Sequence, residues 1–259
     1  MSSSANLRRG WTEFLCAIQF LTRVPVPSQP YEADALSRAV KFFPLVGLLV
    51  GASGALLHFL LAPHLPSLIV AVLILIYFVC ITGCLHEDGL ADAADGFGGG
   101  WSREQILAIM HDSRIGSYGA AALTLSLGAR LLLISALPLA HVAQYLVAAH
   151  VLCRWTTLPL SYYLPPARTQ REDRIDSQGA RVARLTTRAT LIVGTLFSFA
   201  IVVAVLRIHA ITPILISIAF TLISAVYFKR RIGGVTGDCF GAANQITEIA
   251  VYLSGVWTV

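Results

Sequence analysis

Seven apolar runs dominate the chain, near residues 42–62, 67–85, 118–137, 142–164, 189–207, 211–228 and 239–259. Each approaches the length of about 20 residues that a helix needs to cross the hydrocarbon core. Inside lipid the backbone must satisfy its own hydrogen bonds, so such runs are helical. The pattern predicts an all-α polytopic integral membrane protein with about seven transmembrane helices. Basic residues fall on alternate connections. Arg8, Arg9, Arg23, Arg38 and Lys41 precede the first run, and Arg103 and Arg114 separate the second from the third. Arg168, Arg171, Arg174, Arg181, Arg184 and Arg188 follow the fourth run, and Lys229, Arg230 and Arg231 follow the sixth. The turns around residues 63–66 and 138–141 have none, and the turn after the fifth run has only Arg207. Positive charge concentrates in cytoplasmic loops. The N-terminus is therefore expected in the cytoplasm and the C-terminus on the far side.

The segments between the runs suggest one domain spanning 1–259, with no internal repeat and no long linker. Residues 8–24 mix charged and apolar positions as an amphipathic helix does, until Pro25, Pro27 and Pro30 stop it. Residues 1–41 thus read as a cytoplasmic interfacial segment. Met1–Gly10 lacks the apolar stretch of a secretory leader, so no cleaved leader is expected. Gly47, Gly51 and Gly54 form a small-residue stripe suited to close helix contact. Residues 86–117 and the Arg-rich 165–188 make the two large cytoplasmic connections.

Composition supports this picture. The 259 residues are 56% hydrophobic and only 13% charged, whereas soluble domains carry about 25% charged residues. The net charge of +5 arises in the cytoplasmic segments. It favours anionic headgroups or anionic substrates, with the bilayer as one partner, over nucleic acid. Cys16, Cys80, Cys84, Cys153 and Cys239 are scattered, with no CxxC pair, and read as apolar filler.

The chemistry gathers in His86-Glu87-Asp88-Gly89-Leu90-Ala91-Asp92-Ala93-Ala94-Asp95-Gly96. On a helix Asp88, Asp92 and Asp95 share one face. Acids this close repel one another unless a cation lies among them. Carboxylates prefer hard cations, and Mg²⁺ typically takes one or two of them plus substrate phosphates. Glu87, Asp88, Asp92 and Asp95 are the expected ligands of Mg²⁺ or Mn²⁺. The glycines of 96–100 allow close backbone approach, but no Walker loop follows.

Two further polar segments, Met110–Gly119 and Gly233–Gly241, fall at the same predicted membrane face. They add His111, Asp112, Arg114 and Asp238. Asp95, Asp112 and His111 are catalytic candidates, His111 and His86 being able to carry protons near neutrality. Arg114 suits a phosphate. Asp238, Gly241, Gln245 and Glu248 make a polar stripe running into an apolar helix. Ionisable groups inside a membrane usually line a cavity and serve function, so Glu248 is a site candidate. Arg154 and, less strongly, Arg130 lie within apolar runs and demand an acid or a substrate phosphate opposite them. The whole pattern points to metal-assisted phosphoryl chemistry at a membrane surface.

These segments, together with Phe20-Leu21-Thr22-Arg23-Val24-Pro25 and Phe43-Pro44-Leu45-Val46-Gly47, resemble the cobalamin synthase family over nearly the whole chain. Its members are also called cobalamin 5'-phosphate synthases or adenosylcobinamide-GDP ribazoletransferases. One departure is the Asn244-Gln245 pair, where an apolar residue followed by an acid is expected. The resemblance implies a late step of vitamin B12 assembly at a bacterial or archaeal cytoplasmic (inner) membrane. Adenosylcobinamide-GDP would be joined to α-ribazole or its 5'-phosphate, releasing GMP with the aid of Mg²⁺. Asp88, Asp92 and Asp95, with Glu87, Asp112 and Asp238 nearby, would then hold metal across the diphosphate. Asp95 or Asp112 would take the proton of the attacking hydroxyl. Arg114, Arg154, Asp238 and Glu248 would contact substrate, and homo-oligomers are allowed.

Two other classes share parts of the pattern. CDP-alcohol phosphotransferases also place Asp-rich helices at a membrane face, but their Asp-Gly-x-x-Ala-Arg continuation is absent after Asp88-Gly89. A cation-coupled transporter would put its acids near mid-membrane on broken helices, whereas only Glu248 lies deep in the apolar runs.

Overall fold

The structure, a computed structural model, describes residues 2–27, 35–168, 182 and 186–258. Arg171, Arg174, Arg181 and Arg184 of the Arg-rich connection lie outside the described residues, as does Pro30. Twelve helices follow one another among the described residues: α1 (Ser2–Leu21), α2 (Ala35–Ala39), α3 (Phe43–Leu61), α4 (Ser67–Thr82), α5 (Leu85–Gly99), α6 (Arg103–Met110), α7 (Ser117–Ala136), α8 (Val142–Trp155), α9 (Thr157–Tyr163), α10 (Arg188–Leu206), α11 (Ile211–Ile232) and α12 (Gly237–Thr258). Short 3-10 turns lead into α3 and join α10 to α11. The described residues form no strand, only an isolated parallel bridge between Pro166 and Val235.

Every apolar run is helical, but the runs are not alike. Residues 35–61, 117–136 and 188–232 are long and apolar enough to cross a membrane. The α4–α5 pair qualifies as one more span only if its 86° bend counts as a break within it. The run predicted over 142–164 divides at Thr156 into α8 and α9. From Tyr145 to Trp155 α8 is buried on every side, the signature of a core helix rather than a lipid-facing one. Phe59, Leu125, Leu132, Leu196 and Leu222 instead stand out on the exterior, each more than half exposed. An apolar exterior of this extent suits lipid.

The bend after α4 decides where the acids go. Gly83 has φ 63° and Cys84 φ 60°, a left-handed pair that no helix can run through. Glycine at 83 also leaves room for Arg23, whose Nε would lie 2.0 Å from a Cβ there. The Arg23 backbone N–H donates to the Ile81 carbonyl at 2.7 Å. The Thr22-Arg23 segment thus clamps the bend from outside, and α5 leaves across the end of the bundle with its carboxylates. Midway along α1, buried Glu13 accepts from Arg38 at 2.9 Å and sits 2.7 Å from Lys41. That ionic clasp docks the amphipathic helix against the entry to α3.

The core is built on close helix contacts. A Cβ on Gly47 would lie 2.1 Å from the His150 carbonyl oxygen, and one on Gly51 2.7 Å from the Val147 Cα. The predicted glycine stripe therefore seats α3 directly on α8, with Gly54 turned to the ring of Phe78. Two arginines read as topology signals also tie helix ends together. Arg231 donates to the carbonyls of Phe97 and Gly100, and Arg103 to those of Ile232 and Ala167. Gly47→Ala should lower stability by about 1–3 kcal/mol through overpacking, measured by thermal unfolding in detergent. Gly128→Ala, which meets nothing within 4 Å, is the matched control and should show no loss.

Candidate active site

Helices α5 and α12 cross where neither has a side chain. A Cβ on Gly89 would lie 3.1 Å from the Gly241 Cα, and one on Gly241 3.0 Å from the Gly89 Cα. The crossing sets Asp88 and Asp92, one helical turn apart on α5, beside Asp238 in the first turn of α12. Together with His111, Asp112 and Arg168 they line a cavity of about 420 Å³. Arg168 reaches it because the Pro166–Val235 bridge pins its segment: Ala167 N–H donates to the Val235 carbonyl and Val235 N–H to the Pro165 carbonyl, both at 2.9 Å. Its guanidinium donates to the Leu107 carbonyl at 2.8 Å and lies 3.3 Å from His111 Nδ1.

The acids of this cavity are not equivalent. Burial, then the charges of Asp238, Asp88 and Asp95, push Asp92 up to about 7. Burial raises Asp238 to about 6, with Asp88 adding to it, against the opposing charge of Arg168 and the hydrogen bond from the Thr236 hydroxyl. Asp112 goes the other way. Arg114 grips it at 2.6 Å, with backbone and Nε hydrogen bonds besides, and holds it down to about 2.

Several expected site residues are brought to other places. Asp95 is buried and faces α7: its two oxygens accept from the N–H groups of Gly116 at 2.7 Å and Gly119 at 2.8 Å. A Cβ at either glycine would strike that carboxylate. Asp95 anchors the start of α7 and is not among the residues that line the cavity. Asp112 does line the cavity, but an acid held to about 2 is a poor proton acceptor. Arg114 is exposed, spends its guanidinium on Asp112, and lies off the cavity wall.

Glu87 points to the opposite side of α5. It accepts from Arg130 at 2.9 Å and from Gln245 at 3.4 Å, while Glu248 lies 3.6 Å from Arg130. The polar stripe of α12 thus serves two places: Asp238 the cavity, Gln245 and Glu248 a buried network below it. Ser126 donates to Gln245 Oε1 at 3.1 Å, which gives the amide a structural part. Glu87 and Glu248 match Arg130 and Arg154 in charge, a balance that burial requires. Arg154 itself donates to His150 Nδ1 at 2.8 Å and to the His150 carbonyl at 3.2 Å.

The sequence model of the cobalamin-5-phosphate synthase family matches residues 13–256. The chain belongs to the cobalamin-5-phosphate synthase family. Relatives named adenosylcobinamide-GDP ribazoletransferase include one from Ralstonia nicotianae, 38% identical over 98% of this chain and 98% of its own length. One from Sinorhizobium medicae is 40% identical over 95% and 96%, and one from Shewanella frigidimarina 38% over 98% and 97%. No solved structure matches the chain.

On this cavity's wall Asp88 and Asp92, with Asp238 beside them, are the carboxylates that could offer oxygens to a divalent cation. Burial, with neighbouring acids adding to it, raises Asp92 and Asp238. Among the described residues, His150, Cys153 and Glu248 are the trio whose donor atoms all fall within 4.8 Å. That trio is poorly suited to a cation. A guanidinium only donates, so His150 accepts at Nδ1 and carries its proton on Nε2, facing Glu248 at 4.0 Å. Arg168 and Thr236 are the site residues least visible in the sequence. Arg168 reads there as one of six topogenic arginines, and the Pro165-Pro166 pair that positions it is its only local signal.

An acid raised in the folded chain stabilises it below the unfolded value of about 4 and loses that contribution as pH rises through the folded value of about 7. Without divalent cations, the thermal midpoint should therefore fall between about pH 4 and pH 7. Asp92→Asn should raise the midpoint at the upper end and shrink the slope. An unchanged slope would show that the repulsion is not held at Asp92.

Proposed function

We propose that this chain joins adenosylcobinamide-GDP to α-ribazole or its 5'-phosphate and releases GMP, a late step in the assembly of cobalamin. Four carboxylates, one of them paired with Arg114, and the Arg168 guanidinium converge on a single open cavity at the end of the helices, and this carries the reading. The relatives bear the name of that transfer, and the chain aligns with them almost end to end.

The reaction needs a hydroxyl brought to phosphorus, a nucleotide induced to leave and a proton removed. The ribose oxygen attacks the cobinamide-side phosphorus, and the bond from that phosphorus to the bridging oxygen of GMP breaks. Asp88 and Asp92 are the residues that would hold Mg²⁺ or Mn²⁺. Bound there, the ion supplies charge neutralisation for the diphosphate and for departing GMP. Arg168 offers a guanidinium to phosphate oxygens from the opposite wall. Asp238, raised to about 6, is matched to accept the hydroxyl proton near neutral pH, taking the part first expected of Asp95 or Asp112. Arg154 and Glu248 act from below the cavity, Glu248 through Arg130 and not by touching substrate.

In this reading the chain crosses a cytoplasmic membrane seven times. The four further passes use α4, the buried α8 with α9, the second half of the 188–232 stretch and α12. The cavity then faces the cytoplasm, where nucleotide substrates are made available. Trp101 and Leu139, both exposed, test the count. Cysteines placed singly at these positions should label from opposite sides of the membrane, and labelling from one side removes the crossing assigned to α7.

Activity is tested by supplying adenosylcobinamide-GDP, α-ribazole and Mg²⁺ to the purified protein in lipid vesicles and measuring GMP. Asp88→Ala and Asp92→Ala should each cut turnover by roughly a hundredfold or more while the protein remains folded. Arg168→Ala should cost about tenfold or more. Absence of GMP from the wild type, with CMP released from a CDP-alcohol instead, would assign the lipid-synthesis reaction.

A further inference from the structure

A second cavity of about 160 Å³ lies beside the first, and the two share Asp88, Gly237 and Asp238 as their common wall. Its lining is different in kind. Phe20, Leu21, Phe43 and Phe240 supply apolar surface, with Phe20 and Phe43 stacked at 5.7 Å. Behind them are polar groups with nothing to meet. Arg154 is 1% exposed, and its Nε and Nη2 have no hydrogen-bond partner; nor do His86 Nε2 and Asn244 Oδ1. All three residues line this cavity. Since Nη1 is taken by His150, the vacant Nε–Nη2 edge is the side of the guanidinium that forms two parallel hydrogen bonds to one oxygen-bearing group. A buried donor pair left open in this way is costly unless a ligand completes it.

We infer that this second cavity is the seat of the acceptor, an aromatic nucleoside with a flat and weakly polar base. The base packs among Phe20, Phe43 and Phe240. Arg154, His86 and Asn244 meet the oxygens of its sugar and any phosphate it bears, and a sugar hydroxyl is presented across Asp88 and Asp238. The inference rests on the transfer reading above and extends it to the placement of the second substrate. Two arguments favour the acceptor over the donor. A corrinoid is far too large for the space, and a guanine edge carries several donors and acceptors that apolar walls would leave unmatched. Phosphoryl transfer also needs attacking and leaving oxygens roughly in line through phosphorus. Cavities on either side of one acid pair provide that: acceptor from the apolar side, diphosphate and departing nucleotide on the polar side.

The seat is tested by initial-rate kinetics in lipid nanodiscs, varying α-ribazole and adenosylcobinamide-GDP separately. Phe20→Ala, at a half-buried rim position, and Asn244→Leu, deeper in the wall, should each raise KM for α-ribazole about tenfold, the scale of one lost aromatic or polar contact. KM for adenosylcobinamide-GDP should stay unchanged. Equal rises in both constants, a rise confined to the donor, or no change would overturn the inference. Should Asn244→Leu fail to fold, Phe20→Ala alone decides. Should the wild type release no GMP, the transfer reading fails, and calorimetric binding of α-ribazole alone then decides the seat: binding about tenfold weaker in Phe20→Ala supports it, equal binding overturns it. A phospholipid retained by the wild type and lost from the variants in native mass spectrometry, with α-ribazole affinity unchanged, would make this a lipid pocket and overturn the inference.

Discussion

The partial burial of Asp92 and Asp238 beside Asp88 is the constraint around which the rest of the structure is arranged. Carboxylates gathered in this way are an unfavourable combination for folding: burial first, and then the neighbouring acids, pushes Asp92 and Asp238 upward. The fold imposes the arrangement by two devices that have little to do with charge. The left-handed Gly83–Cys84 pair turns α5 by 86°, and the bare Gly89–Gly241 contact holds it against α12. Stability is given up at this point, the usual relation between a functional site and its scaffold.

The charges below the site follow the opposite logic. Glu87, Arg130, Glu248 and Arg154 are almost wholly buried, and there each charge needs a counter-charge. Arg130 bridges the two glutamates, and Gln245 joins Ser126 to Glu87. This network ties α5 and α12, which carry the cavity's acids, to α7, so the position of Asp88 is supported from beneath by its neighbour Glu87. The four acids of one short stretch thereby divide the labour. Glu87 looks into the bundle, Asp88 and Asp92 look out of its end, and Asp95 holds the next helix.

Much of this was legible in the sequence because it depends on period and on punctuation. Apolar runs marked the helices, the three polar segments marked one end of the bundle, and the i, i+4 relation of Asp88 and Asp92 placed them on one face. What could not be read was long-range pairing. Asp95 continues the same helical face, and only the approach of Gly116 and Gly119, more than twenty residues away, converts it into an anchor. Asp112 and Arg114 looked like a base beside a phosphate binder, yet at a spacing of two they neutralise each other. Arg168 was hidden among topogenic arginines because a two-residue bridge to Val235, distant in sequence, is what directs it. Apolarity likewise could not show that α8 is buried on every side, since a core helix and a lipid-facing one look alike in composition and differ only in what surrounds them.

A membrane setting also gives a physical reason for the pairing of a polar and an apolar cavity. A soluble enzyme that joined a highly charged diphosphate to a weakly polar aromatic would have to bury both kinds of surface from one solvent. Here α1 lies along the entry to α3, held by Glu13, and contributes Phe20 and Leu21 to the apolar side. The acids on α5 and α12 open the other side to water. The two cavities meet only at Asp88, Gly237 and Asp238. With the acceptor seated as inferred above, a reactant pair that differs this strongly in polarity would be sorted by its surroundings before it is aligned, and the shared wall is where the two surroundings touch.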